Sequence, residues 1–157
     1  FETLVALLEE NGIAQYEISN FSKPGFESRH NSNYWKGVPY LGVGPGAHSF
    51  DGHHRGHNLS HNKKYISLLH SGKLPFQVDK LSKEDRINEY ILTSLRTIWG
   101  IDTKWLFEKY AYDLLLHKSD QLRIFKDQGM ILSEEGSIIL SEKGKLLADY
   151  LAAKLFI

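Results

Sequence analysis

Cysteine is absent from the 157 residues, methionine occurs once and proline four times. Without a thiol, this stretch holds neither a disulfide framework, nor a thiolate zinc site, nor a cysteine-ligated iron-sulfur cluster, and a cytoplasmic setting is the expectation. Net charge is absent too, because 19 basic side chains cancel 19 acidic ones. The global field that would draw the chain to nucleic acid or to an anionic membrane is therefore missing. No apolar run approaches the roughly 20 residues a bilayer span requires, so no membrane span is expected. The chain opens on Phe1 rather than methionine, and its first ten residues lack the basic flank and apolar stretch of a secretory signal. The expectation is that it starts inside something larger. What is present, 41% hydrophobic and 12% aromatic residues, is the composition of a folded globule.

Leu4, Leu7 and Leu8 recur at i, i+3, i+4 before Asn11-Gly12, which predicts an amphipathic helix ending near Glu10. Ile13 to Ile18 reads as a short strand, closed by the breaker-rich Ser19 to Gly25. A helix and a strand alone make no sheet, so the strand's neighbours are expected upstream. From Phe21 to Gly56 the density of glycine and proline predicts irregular backbone of the kind that serves a site or an interface. Helical periodicity returns at Asn62 to Ser71 and at Ser82 to Trp99, where Ile87, Tyr90, Ile91, Leu95 and Ile98 form a stripe. Asp102 can cap a helix through Tyr110, and Leu115, Leu122 and Phe125 stripe the next, from Tyr112 to Gln128. Met130 to Ser133 and Ser137 to Leu140 predict a hairpin around Glu134-Glu135-Gly136. Leu147, Tyr150, Leu151 and Leu155 face inward from a closing helix. This order gives an α+β fold, mainly helical, with a winged-helix-like carboxy-terminal domain.

His30-Asn31-Ser32-Asn33-Tyr34-Trp35 gathers an imidazole, two amides and two large aromatics within six residues. On a helix, His30 and Tyr34 share a face with Trp35 beside them. A flat aromatic ligand would suit the set, since rings stack on it and a neutral imidazole can ligate haem iron. The alternative is a core role for Tyr34 and Trp35, with His30 or Asn31 capping a turn. Gly42 to His48 lacks the lysine of a P-loop and the spacing of a dinucleotide fingerprint. Its Gly44 and Gly46 are read as letting the backbone approach another element or a ligand, with His48 a candidate polar group beside it. His53, His57 and His61 would align on a helix and could take zinc or nickel, but Gly52 and Gly56 break the segment, so no metal site is expected. A winged helix could enter a DNA groove. Here Lys118, Arg123 and Lys126 are balanced by Asp113, Asp120 and Asp127, and a docking module without nucleic acid is the expectation.

Tyr16-Glu17-Ile18-Ser19-Asn20-Phe21, Pro24-Gly25, Ser28-Arg29-His30-Asn31, Tyr34-Trp35 and Tyr40-Leu41-Gly42-Val43-Gly44 to Ala47-His48-Ser49 closely resemble the radical-SAM proteins of the oxygen-independent coproporphyrinogen III oxidase-like family. The likeness is strongest to the HemW-like branch of haem chaperones. It implies an upstream partial α/β barrel whose cysteine triad holds a 4Fe-4S cluster and binds S-adenosylmethionine, with none of those ligands in this chain. It implies that residues 1–21 are the last helix and strand of that barrel. Residues 22–60 would form a glycine-rich irregular segment, and residues 61–157 the helical winged-helix-like domain. The resemblance assigns haem binding to His30, Asn31, Tyr34 and Trp35, with Gly44, Gly46 and His48 near the ligand. The implied partners are haem or a porphyrin and the radical-SAM domain of the same chain. The implied function is haem trafficking, the alternative being the oxidase of porphyrin biosynthesis, and in either case this stretch alone is catalytically inert.

Overall fold

The structure, a computed structural model, describes residues 1–134 and 136–157. In order, its elements are α1 (Glu2–Glu10), β1 (Ala14–Glu17), β2 (Asn20–Ser22), α2 (Arg29–Trp35), β3 (His48–Phe50), β4 (Arg55–Asn58), α3 (Asn62–His70), β5 (Phe76–Asp79) and α4 (Lys83–Leu95). There follow β6 (Ile101–Asp102), α5 (Thr103–Tyr110), α6 (Leu114–His117), α7 (Ser119–Asp127), β7 (Ile131–Glu134), β8 (Ser137–Leu140), α8 (Glu142–Lys145) and α9 (Ala148–Leu155). Helix makes up 46% and strand 19%, an α+β fold in which helix dominates. The residues form two compact units, one of Phe1–Asn31 with Lys83–Ile157, the other of Ser32–Ser82; the boundary falls within α2.

The first unit owns the apolar core. Ile87, Ile91 and Leu95 line one side of α4 at helical spacing and pack with Ile101, Leu106, Leu114, Phe125, Ile138, Leu151 and Leu155, all essentially out of water. α4 lies against α9, and β6–β8–β7 forms an antiparallel sheet beside them. Asp102 caps α5 as predicted, its carboxylate accepting from the Trp105 N–H at 2.8 Å. The hairpin of β7 and β8 also forms, but its turn includes Glu135, which lies outside the described residues.

Several stripes shift phase. The helix expected from Tyr112 to Gln128 is interrupted at Lys118, so Leu114 is buried and Leu115 exposed. In α9, Ala148, Leu151, Ala152 and Leu155 turn inward while Leu147 and Tyr150 are exposed. In α1 the expected stripe is reversed: Val5 is buried, and Leu4 and Leu7 face solvent.

Strand β1 does find neighbours within the chain. It pairs with β2 through a bulge and continues onto the residues after α4 through a bridge between Glu17 and Thr97. Glu17 is buried at that junction. Its carboxylate accepts from Arg96 Nε at 3.0 Å, from the Ser19 N–H at 2.9 Å and from Asn20 Nδ2 at 2.5 Å. A buried carboxylate requires this degree of compensation. Arg96 also reaches Asp149 at 2.7 Å, so one guanidinium ties β1 to α9.

The second unit is not irregular throughout. It contains an antiparallel sheet, β3–β4–β5, extended by a bridge from Tyr40 to Phe50. Gly56 is needed in it because a Cβ there would meet Phe76 Cζ and the Gln77 carbonyl, both at 2.4 Å.

Candidate functional site

Helix α2 carries all four residues singled out in the sequence, His30, Asn31, Tyr34 and Trp35. Its first turn is held by Ser28, whose hydroxyl accepts from the Asn31 N–H at 3.3 Å, so neither His30 nor Asn31 serves as the cap. In the first unit, His30 is exposed and has no hydrogen-bond or ion-pair partner among the described residues. Asn31 donates to the Tyr16 hydroxyl at 3.4 Å, a long contact that links α2 to β1.

In the second unit, Tyr34 meets Trp35 edge-on with ring centroids 5.2 Å apart. A series of rings continues from Tyr34 to Tyr40 at 5.9 Å and from Tyr40 to Phe50 at 6.3 Å. Burial raises the Tyr40 pKa above the ordinary phenol value, the neighbouring Tyr34 adds to the rise, and the Arg55 charge opposes it. Tyr40 therefore stays a protonated donor at neutral pH.

The glycine run is organised around one amide. Asn58 is buried and donates Nδ2 to the Gly44 carbonyl at 2.9 Å and to the Gly42 carbonyl at 3.4 Å, while its backbone N–H reaches Ala47 O at 2.8 Å. Gly44, at φ +102°, supplies a conformation L side chains rarely adopt. Gly46 has φ +72° and donates its N–H to Leu59 O at 3.3 Å. Gly44 and Gly46 thus shape a loop clamped by Asn58, and His48 follows it as the first residue of β3, exposed.

The histidines of this stretch take different local roles. His53 and His54 sit in the turn between β3 and β4, where Asp51 accepts from their N–H groups at 2.7 and 2.6 Å. Those amides, His54's first, pull the Asp51 pKa down to about 2. His61 caps α3, accepting from the Lys64 N–H at 3.4 Å. His57 points instead toward His48 across the strand pair, with ring centroids 5.5 Å apart, and its Nδ1 lies 3.4 Å from Asp79 Oδ1. Among the described residues no three potential metal ligands converge.

A groove of 710 Å³ opens on the second unit, within the size range of ligand clefts. Pro39, Leu41, Ser49, Phe76 and Val78 line it together with the turn of Asp51 and His54. Strand alternation puts these on the face opposite to Tyr40, Phe50 and Arg55, which border the groove from the strands between. Sequence reasoning gave no site role to Tyr40, which it quoted only within the family pattern, or to Phe50, Phe76 and Asp79; the alternation of His48-Ser49-Phe50 and of Phe76-Gln77-Val78-Asp79 was the signal for the last three.

No family model matches the chain. It is 35% identical over 150 residues to the heme chaperone HemW of Bacillus subtilis, covering 95% of this chain and 40% of that protein. It is 31% identical over 158 residues to the heme chaperone HemW of Mycobacterium tuberculosis (strain H37Rv), covering 99% and 38% respectively. The fold is similar to that of the radical-SAM enzyme coproporphyrinogen III oxidase (HemN) of Escherichia coli, with a TM-score of 0.73 at 17% identity over 99% of this chain and 39% of the enzyme. The chain thus spans about 40% of the length of the relatives it matches. No helix among the described residues is long and apolar enough to cross a membrane. With that identity sustained along nearly its whole length, the chain belongs to the oxygen-independent coproporphyrinogen III oxidase-like radical-SAM family, as a carboxy-terminal portion of its HemW-like branch.

Proposed function

We propose that this chain is the haem-contacting region of a cytoplasmic haem-trafficking protein. The observation that carries the reading is the 35% identity to a heme chaperone over 95% of the chain. In this reading haem is cargo. His30 offers the axial imidazole nitrogen, Tyr34 and Trp35 stack on the porphyrin, and Asn31 fixes the helix that presents them. The exposed and unpartnered state of His30 supports the ligand role, because its nitrogens are not committed to another group. Gly44, Gly46 and His48 lie near the cargo. A 4Fe-4S cluster and S-adenosylmethionine belong to the radical-SAM domain of the longer relatives, and nothing in a cysteine-free stretch ligates that cluster.

In the same reading residues 1–21 complete that domain, and the exposed Leu4 and Leu7 of α1 are covered by it. Residues 22–60 carry the motif, and residues 61–157 act as a winged-helix-like docking module that binds no nucleic acid.

Haemin titration followed by absorption tests the reading. His30→Ala is expected to shift or abolish the Soret band. Tyr34→Ala and Trp35→Ala are expected to weaken affinity by roughly fivefold each, about 1 kcal/mol of stacking, with little change in band position. A folded His30→Ala protein with unchanged spectrum and affinity would remove His30 as the ligand.

A further inference from the structure

His48 and His57 occupy directly opposed positions on β3 and β4. A cross-strand pair holds its two Cβ atoms about 5 Å apart without further folding cost, so two imidazoles there form a bidentate chelator whose entropy is already spent. The rings lie 5.5 Å apart at an interplanar angle of 35°. Zinc–nitrogen bonds of about 2.0 Å in a tetrahedral site need the two nitrogens about 3.3 Å apart, which rotation of the exposed His48 side chain can supply. Asp79 on β5 adds the second element of such sites. Its carboxylate lies 3.4 Å from His57 Nδ1, close enough that a small adjustment would let it accept from that nitrogen and leave Nε2 to ligate.

The unit that carries these residues has a reason to use a cation. Every large apolar side chain buried among the described residues belongs to the other unit, and Ser32–Ser82 buries only small or polar groups such as Ser32 and Asn58. A small fold with neither an apolar core nor cysteine can be stapled by a metal ion.

We propose that His48 and His57 form an open, two-imidazole site for a borderline-soft divalent cation such as zinc, with Asp79 positioning His57, and that the bound ion staples β3 to β4. Water or an external ligand completes the coordination, because among the described residues no third protein ligand converges there. The site shares His48 with the residues placed near the cargo but none of the haem contacts proposed on α2, and zinc binding in the absence of haem tests it separately from that reading.

Isothermal titration of zinc chloride into the 157-residue chain, in a buffer that does not bind zinc, tests it. One site is expected, with a Kd on the order of micromolar to tens of micromolar, as befits two ligands rather than four. His48→Ala and His57→Ala should each abolish it, and Asp79→Asn should weaken it by roughly 10- to 100-fold. His53→Ala and His61→Ala should leave it intact. Hydrogen exchange supplies the second arm: zinc should slow exchange of the β3 and β4 amides in the wild type and not in His57→Ala. Binding that survives loss of both His48 and His57, binding that disappears with His53 or His61, or no binding at 100-fold above the expected Kd overturns the proposal. Circular dichroism without zinc confirms that each variant is folded before it is scored.

Discussion

At Glu17 a single carboxylate joins three parts of the first unit. Its side chain is 1% exposed and holds Arg96, whose other arm reaches an Asp149 that is 75% exposed. The two halves of this network should therefore differ in energy. Glu17→Ala leaves a partly buried guanidinium without its main counter-charge and is expected to cost about 3 kcal/mol. Asp149→Ala removes a solvent-screened partner and should cost less than about 1 kcal/mol. Urea denaturation midpoints of the two variants check the contrast. Equal costs would mean that Arg96 depends as much on its exposed partner as on its buried one. The role of Glu17 was not legible beforehand, because a strand of four residues does not say which face it buries or that Arg96, 79 positions away, would meet it.

Among the elements, those with strong local signals were readable and those built from distant pairings were not. The Asp102 cap, the α4 stripe as far as Leu95 and the β7–β8 hairpin each announce themselves within a dozen residues, by a cap, a period or a turn, whereas Ile98, placed on the same stripe, lies beyond the helix and is exposed. Strands β3 and β4 are three and four residues long and rich in histidine and glycine, which have little β-propensity. The second partner of β4, β5, comes only after helix α3. The helix break at Lys118 escaped notice because the apolar pattern runs on through it. α2 was anticipated as a possible helix, with His30 and Tyr34 on one face; the haem-binding role proposed for them came from the family resemblance and not from spacing. Gly56 gives a test of the sheet as an element. Gly56→Ala forces a methyl group against Phe76 and the β5 backbone, and a cost of about 1–3 kcal/mol is expected. Fluorescence or near-ultraviolet dichroism should register displacement of the aromatic side chains in this unit while the first unit keeps its melting behaviour.

For the whole molecule, the uneven distribution of buried apolar surface predicts uneven stability. The first unit contains the cluster around Ile87, Ile91 and Leu155, whereas Ser32–Ser82 rests on its sheet, the Asn58 clamp and exposed apolar side chains such as Leu41, Val78 and Leu74. Local opening free energies follow such differences. Amides of β4 and β5 are expected to exchange faster than those of α4 by a factor of about 100 or more, corresponding to about 3 kcal/mol, when followed by native-state hydrogen exchange with mass spectrometry. Uniform protection across both units would contradict this. The sequence revealed the family-level pattern through the segment from Tyr16 to Ser49. That the chain leaves the first unit near Asn31 and re-enters it at Lys83 could not be read, because it depends on contacts between segments more than fifty residues apart.

That re-entry sets a timetable for synthesis. A ribosome adds roughly 5–20 residues per second, so on the order of ten seconds separate the emergence of Glu17 from that of Arg96 and Asp149. The intervening Ser32–Ser82 can pair its own strands while it waits, but the Glu17 carboxylate has no counter-charge until Arg96 has left the exit tunnel. The segment around β1 is therefore held open by translation itself, its carboxylate still hydrated, until the residues after α4 arrive to close it.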